Sequence, residues 1–205
     1  AKVRDRFSPD GWAALNDLAK TAAKLAAKVD HGDDAALAMS ILLRKISGFS
    51  GLVHENMYHF AGWRFLSLGR AQERADGTLM LLQTFTAPES APGALEIAIE
   101  VGDSVMTHQR RYRFGPSRET VLDLLLSDAQ NPRAVLYQIA QMRHHVGKLP
   151  QAGVGGRLGA LERALLTLDT DLRVWGPSDL VPERLADLRA RLGDVFDLLS
   201  ALYLR

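Results

Sequence analysis

The chain has 205 residues, 47% hydrophobic and 24% charged, with 25 Lys and Arg against 24 Asp and Glu, a net charge of +1. So apolar a chain is not disordered, and so even a balance supplies no broad positive field for nucleic acid. The absence of Cys excludes disulfides, thiolate metal sites, iron–sulfur clusters and cysteine nucleophiles, and fits a reducing, cytoplasmic setting.

No apolar run is expected to reach the roughly 20 residues of a membrane span, so no membrane partner is expected. The opening Ala1-Lys2-Val3-Arg4 has neither the form of a signal peptide nor an initiator Met, and the chain is expected to be part of something longer.

Between Pro9 and Pro88 there is no proline, apolar residues recur at three-and-four spacing, and no segment sustains period-two alternation. The fold class read from this is all-α: a single multi-helix bundle over 1–205, with one long central helix and six to seven others. Ser8 followed by Pro9 predicts a capped first helix running to about Val29, burying Trp12, Leu15, Ala19, Ala22, Ala26 and Val29. After the turn at Asp30-His31-Gly32-Asp33 a second helix is predicted over about 34–50, burying Leu37, Ile41, Leu42 and Ile46. The third, about 52–85, is the long one, reaching about 50 Å unless it kinks at Gly62 or over 54–58.

Pro88 and Pro92 mark a loop, and the next helix is predicted to carry Leu95, Ile99, Gly102, Val105 and Met106 and to end near Arg113. A short helix over 117–127 follows, with Ser117 and Thr120 at its start, then one from Pro132 to about Leu149. Gly153–Gly156 read as a mobile loop, and two helices close the chain, about 157–174 and 182–203. No internal repeat or composition shift suggests a second domain.

On a helical wheel Gly62, Leu66, Gly69, Gly77 and Met80 lie within about 40° of Glu73. Interior glycines cost helix propensity, so this face is expected to be approached closely by another backbone or a ligand. Glu73 is then expected to point inward into a buried ionic cluster, with Arg70 three residues back, or Arg110, Arg111 or Arg133, as partner. Such a cluster either fixes helix register or forms a site, in which a desolvated carboxylate acts as general acid or base and guanidinium groups clamp an anion.

The stretch Gly62-Trp63-Arg64-Phe65-Leu66, Leu68-Gly69-Arg70 and Glu73-Arg74-Ala75-Asp76 resembles the alpha-E family of bacterial helical domains, named for its Glu-Arg motif. The likeness extends to Ser8-Pro9-Asp10-Gly11-Trp12-Ala13-Ala14-Leu15-Asn16, to Arg110-Arg111-Tyr112, and to Leu122-Asp123-Leu124-Leu125-Leu126-Ser127-Asp128 with Asn131-Pro132-Arg133. An earlier helix usual in the family has no counterpart, so the chain looks like the C-terminal part of such a domain. The resemblance implies Glu73 as candidate catalytic residue and Trp63, Arg64, Arg70, Arg74, Arg111, Tyr112, Asn131 and Arg133 as binding residues. It further implies work beside a circularly permuted ATP-grasp amide (peptide) ligase and a transglutaminase-like protein, with a peptide or amino acid as ligand. The chain would be an accessory binding module without a cofactor of its own, ATP and Mg belonging to the partner. The alternatives are an enzyme acting on amides through Glu73, and a purely structural cluster.

Other signals are weaker. His54 and His59 are five apart, about 140° around a helix, and cannot share one metal from a regular helix. The glycines over 153–159 miss the dinucleotide fingerprint. The basic run His108 to Arg113 and the Arg143-His144-His145 segment suit helix C-termini, where the macrodipole favours cations. No nucleophile elbow or triad can be assigned.

Overall fold

The computed structural model of the protein describes residues 4–150 and 157–203. Among these residues it is all-helical, as periodicity predicts, and it divides into two compact units, residues 1–63 and 64–205. The expected loop at Gly153–Gly156 lies outside the described residues.

In the first unit, α1 (Pro9–Ala26) and α2 (Asp33–Asn56) form a helical hairpin, pinned by the tilted ring contact of Phe7 with Phe49 and by the ion pair of Lys45 with Asp17. Ser8 caps α1 by accepting from the Gly11 amide at 3.1 Å. The turn before α2 places Gly32 at φ +94°, open to glycine at no steric cost. Burial is thin here. Ala19 and Ala26 are exposed, and the covered stripe of α1 includes Gly11, Trp12, Leu15, Leu18, Ala22 and Leu25. On α2, Ala38 and Val53 are buried while Leu37, expected inside, is 59% exposed and Ile46 46%.

That helix also corrects a sequence expectation. Over α2's 24 residues an 18-residue window reaches a mean hydropathy of 1.4, long and apolar enough by length and composition to cross a membrane. Length and composition alone assign it no membrane, and Arg44 and Lys45 sit near its middle.

The long helix expected over 52–85 is two. Residues 52–56 finish α2, the chain turns through Met57 to Phe60, and α3 (Ala61–Phe85) starts afresh. His59 sits in that turn, its Nε2 3.1 Å from the His54 carbonyl and its ring stacked on Trp63. At 25 residues α3 is about 37 Å long.

In the second unit α3 packs through Leu68, Ala71, Ala75, Leu79 and Leu82, spaced three, four, four and three apart. The predicted helix around Gly102 is also two, α4 (Ala94–Val101) and α5 (Val105–Arg111). Between them the Asp103 amide donates to the Glu100 carbonyl and the Ser104 amide to that of Ile99, a Schellman closure with Asp103, at φ 48°, in the left-handed position. The short α6 (Arg118–Leu122) begins with the Ser117–Thr120 capping box and passes into a π-helical turn, Asp123–Ser127. Leu122, Leu124, Leu125 and Leu126 are all fully buried, so this segment is covered on every side. Around it lie α7 (Val135–Val146), α8 (Ala160–Val174) and α9 (Pro182–Tyr203), contributing Ile139, Met142, Leu165, Leu172, Leu188 and Val195 to one core.

Candidate functional site

With its core stripe fixed, α3 presents two different flanks. Relative to Ala75, Glu73 lies about 160° around the wheel, while Arg70 and Arg74 lie on one side and Gln72 and Asp76 on the other. Glu73 is therefore exposed, and its carboxylate makes no hydrogen bond or ion pair among the described residues. The inward Glu73 and its ionic cluster are overturned. A Cβ added at Gly69 or Gly77 would meet nothing within 4 Å, so neither glycine marks a close approach. The wheel places these residues on one face correctly; the leucines and alanines of the opposite face claim the core because they remove more apolar area from water.

A buried carboxylate between arginines does exist, on another helix. Asp169 of α8, 3% exposed, accepts from Arg143 at 2.6 Å and from Arg173 at 3.0 Å. Reading from sequence assigns Arg143 to the end of its helix and misses Asp169; its place on the inner stripe with Leu161, Leu165, Leu168 and Leu172 is the available signal.

Glu73 lines a groove of about 610 Å³ between α3 and α9, with Gly69, Gln72, Asp76, Gly193, Asp194 and Asp197 among its walls. Arg189 of α9 holds Asp76 in a bidentate pair at 2.6 and 3.1 Å.

On the other flank a groove of about 420 Å³ runs along α3 beside the end of α4. Arg74 and Arg133 stand at one part of it; Met80, Leu81, Phe85 and Val101 supply an apolar wall. Arg70 and Arg74 make no ion pair or hydrogen bond through their guanidinium groups among the described residues. Arg74 is drawn below the ordinary guanidinium value, first by desolvation, then by the like charges of Arg70 and Arg133, against the opposing effect of Tyr137. The Arg133 guanidinium pairs, among the described residues, with Asp103 alone at 3.1 Å, and both side chains are well exposed. Among the described residues, Asp103 is the one carboxylate paired with any of these three guanidinium groups, which leaves a field suited to an anion.

The remaining sequence candidates do other work. Arg111 bridges Asp123 at 3.0 Å and Asp128 at 2.8 Å, and Tyr112 donates to Asp123. Burial, then that hydrogen bond, raises the Tyr112 phenol well above its ordinary range. In an α-helix residues five apart point about 140° away from each other; the π turn between Asp123 and Asp128 lets both reach one guanidinium. Asn131 donates to the Leu124 carbonyl at 2.9 Å and to Ser104 Oγ at 3.2 Å, and accepts from the Arg133 amide at 3.0 Å. It serves to aim Arg133, whose carbonyl also accepts from Thr78 of α3 at 3.1 Å. Trp63 and Arg64 are half-buried near the start of α3. The structure therefore brings Arg74 and Arg133 to one groove with Arg70 beside them, puts Glu73 on another, and gives Arg111, Tyr112 and Asn131 structural partners. Among the described residues no cluster of three His, Asp or Glu side chains could hold a metal ion.

An all-helical domain whose Glu-Arg pair divides two oppositely charged grooves is the class this defines. The chain belongs to the Alpha-E family, described as "a predicted alpha-helical domain with a conserved ER motif", whose model matches residues 1–204. An uncharacterized protein of Mycobacterium bovis and two from strains of Mycobacterium tuberculosis are each 29% identical to it, over 98% of this chain and 25% of their own length. The chain thus spans about a quarter of these curated relatives. No solved structure matches it.

Proposed function

We propose that the chain is a helical binding module working in the cytoplasm with an ATP-grasp-type amide (peptide) ligase, and that its Arg74–Arg133 groove is the working surface. A transglutaminase-like protein is a second partner in this reading, and ATP with Mg belongs to the ligase. The observation that carries it is the pair Arg74 and Arg133 at an open groove with Arg70 beside them, Asp103 being the one carboxylate paired with any of the three among the described residues. A cluster that merely tied helices together would have its charges matched, as Asp169 is matched with Arg143 and Arg173. Membership of the Alpha-E family supports the association with ligases through the resemblance of the Glu-Arg motif.

The test is amide formation by the ATP-grasp protein fused to or encoded beside this chain, measured with the module present, absent, or carrying Arg74→Gln. The module is expected to bind the ligase and raise its turnover, and Arg74→Gln to remove about tenfold of that gain while the complex still assembles. Turnover indifferent to the module, or no complex, overturns the reading.

A further inference from the structure

The groove beside Arg74 is two-part, and its chemistry narrows the ligand. Along the wall the two hydroxyls are already spent as donors: Thr78 donates to the Arg133 carbonyl and Thr84 to the Met80 carbonyl. What remains exposed there is hydrocarbon, with Met80 51% and Val101 62% accessible, beside Leu81 and Phe85. From Arg74 to Phe85 the helix advances about 16 Å. A ligand lying along it finds strong donors at the arginine end and few polar partners beyond. An extended peptide would leave main-chain groups facing an apolar wall. A hydrocarbon chain has none to satisfy.

We propose that this groove binds a carboxylic acid bearing an extended apolar chain, with the carboxylate held by Arg74 and Arg133 and the chain lying against Leu81, Met80, Phe85 and Val101. The proposal rests on the binding-module reading and names its ligand class: an acid of this kind is the type of group an amide ligase activates. Asp103 is the internal competitor, because its carboxylate holds the same Arg133 at 3.1 Å. Its left-handed backbone is one that Asn also tolerates, so Asp103→Asn removes the competing charge while keeping the turn.

The experiment is titration of the chain with decanoate below its micellar range, followed by calorimetry and by amide NMR shifts, with decanol, decyl phosphate, acetate and inorganic phosphate as parallel probes. Decanoate is expected to bind saturably, with shifts centred on Gly77, Val101 and Gly102. Acetate, inorganic phosphate and decanol should each bind about tenfold more weakly or worse, since each lacks one half of the ligand. Arg74→Gln should weaken decanoate by about tenfold at unchanged circular dichroism, and Asp103→Asn should tighten it several-fold. Decanol binding as well as decanoate, shifts scattered over the surface, or either variant leaving affinity unchanged overturns the proposal. Tighter binding of decyl phosphate than of decanoate overturns the carboxylate assignment. If decanoate fails to bind while Arg74→Gln still depresses ligase turnover, the ligand class is wrong and the module reading stands. If decanoate binds as described while the ligase ignores the module, that reading fails instead.

Discussion

Glu73 and Arg74 are neighbours in the chain, yet about 100° separates them on the helix, and that angle sends one to an acidic groove and the other to a basic one. The consequence at Glu73 is measurable. Because its carboxylate is exposed and makes no hydrogen bond or ion pair among the described residues, Glu73→Gln is expected to change stability by no more than about 0.5 kcal/mol, read from urea midpoints. A loss of several kcal/mol would restore the buried cluster read from the sequence. The burial expected at Glu73 belongs to Asp169, which the leucine spacing of its own helix already places inward.

Glycines show how the element decides what a residue costs. At Gly102, in the turn that ends α4, an added Cβ would stand 2.7 and 2.9 Å from the terminal carbons of Leu125 and 3.0 Å from the Ala98 carbonyl. Leu125 is fully buried and has nowhere to move, so Gly102→Ala is expected to destabilise by about 1–3 kcal/mol. At Gly69, in the exposed middle of α3, the same change meets nothing and should stabilise by roughly 0.5–1 kcal/mol through helix propensity. Thermal melts of the two variants should move in opposite directions. The breaks at Met57–Phe60 and Gly102–Ser104 were not legible as full stops, because glycine and polar residues are tolerated inside helices and only the neighbouring packing selects a turn. Ser8 with Pro9, Gly32, and Ser117 with Thr120 were legible, since cap chemistry is local.

Across the whole second unit the core is aliphatic, leucine above all, and the polar groups inside it are few and specific. His108 is one, 4% exposed, with its Nε2 3.0 Å from Thr120 Oγ1. Burial lowers its pKa from 6.5 in the open chain, so the unfolded chain takes up a proton that the folded one resists. Its contribution to stability is complete above about pH 6.5 and is lost as the pH falls from there through the lowered native value. The difference in urea midpoint between the parent and His108→Gln should therefore shrink between about pH 7.5 and pH 5.5. A difference that stays constant would show that the imidazole titrates alike in the folded and unfolded chains.

The sequence by itself determined the helical class, most helix boundaries, the caps and the family motif, because periodicity, propensity and capping act within a few residues. Through the motif it also singled out Arg70, Arg74 and Arg133. Only the tertiary structure decided which face of α3 is covered, which carboxylate is buried, and that Arg74 and Arg133, from distant parts of the chain, share one groove. A wheel shows which residues lie on a common face; which face another helix covers depends on the apolar area that competing faces can remove from water.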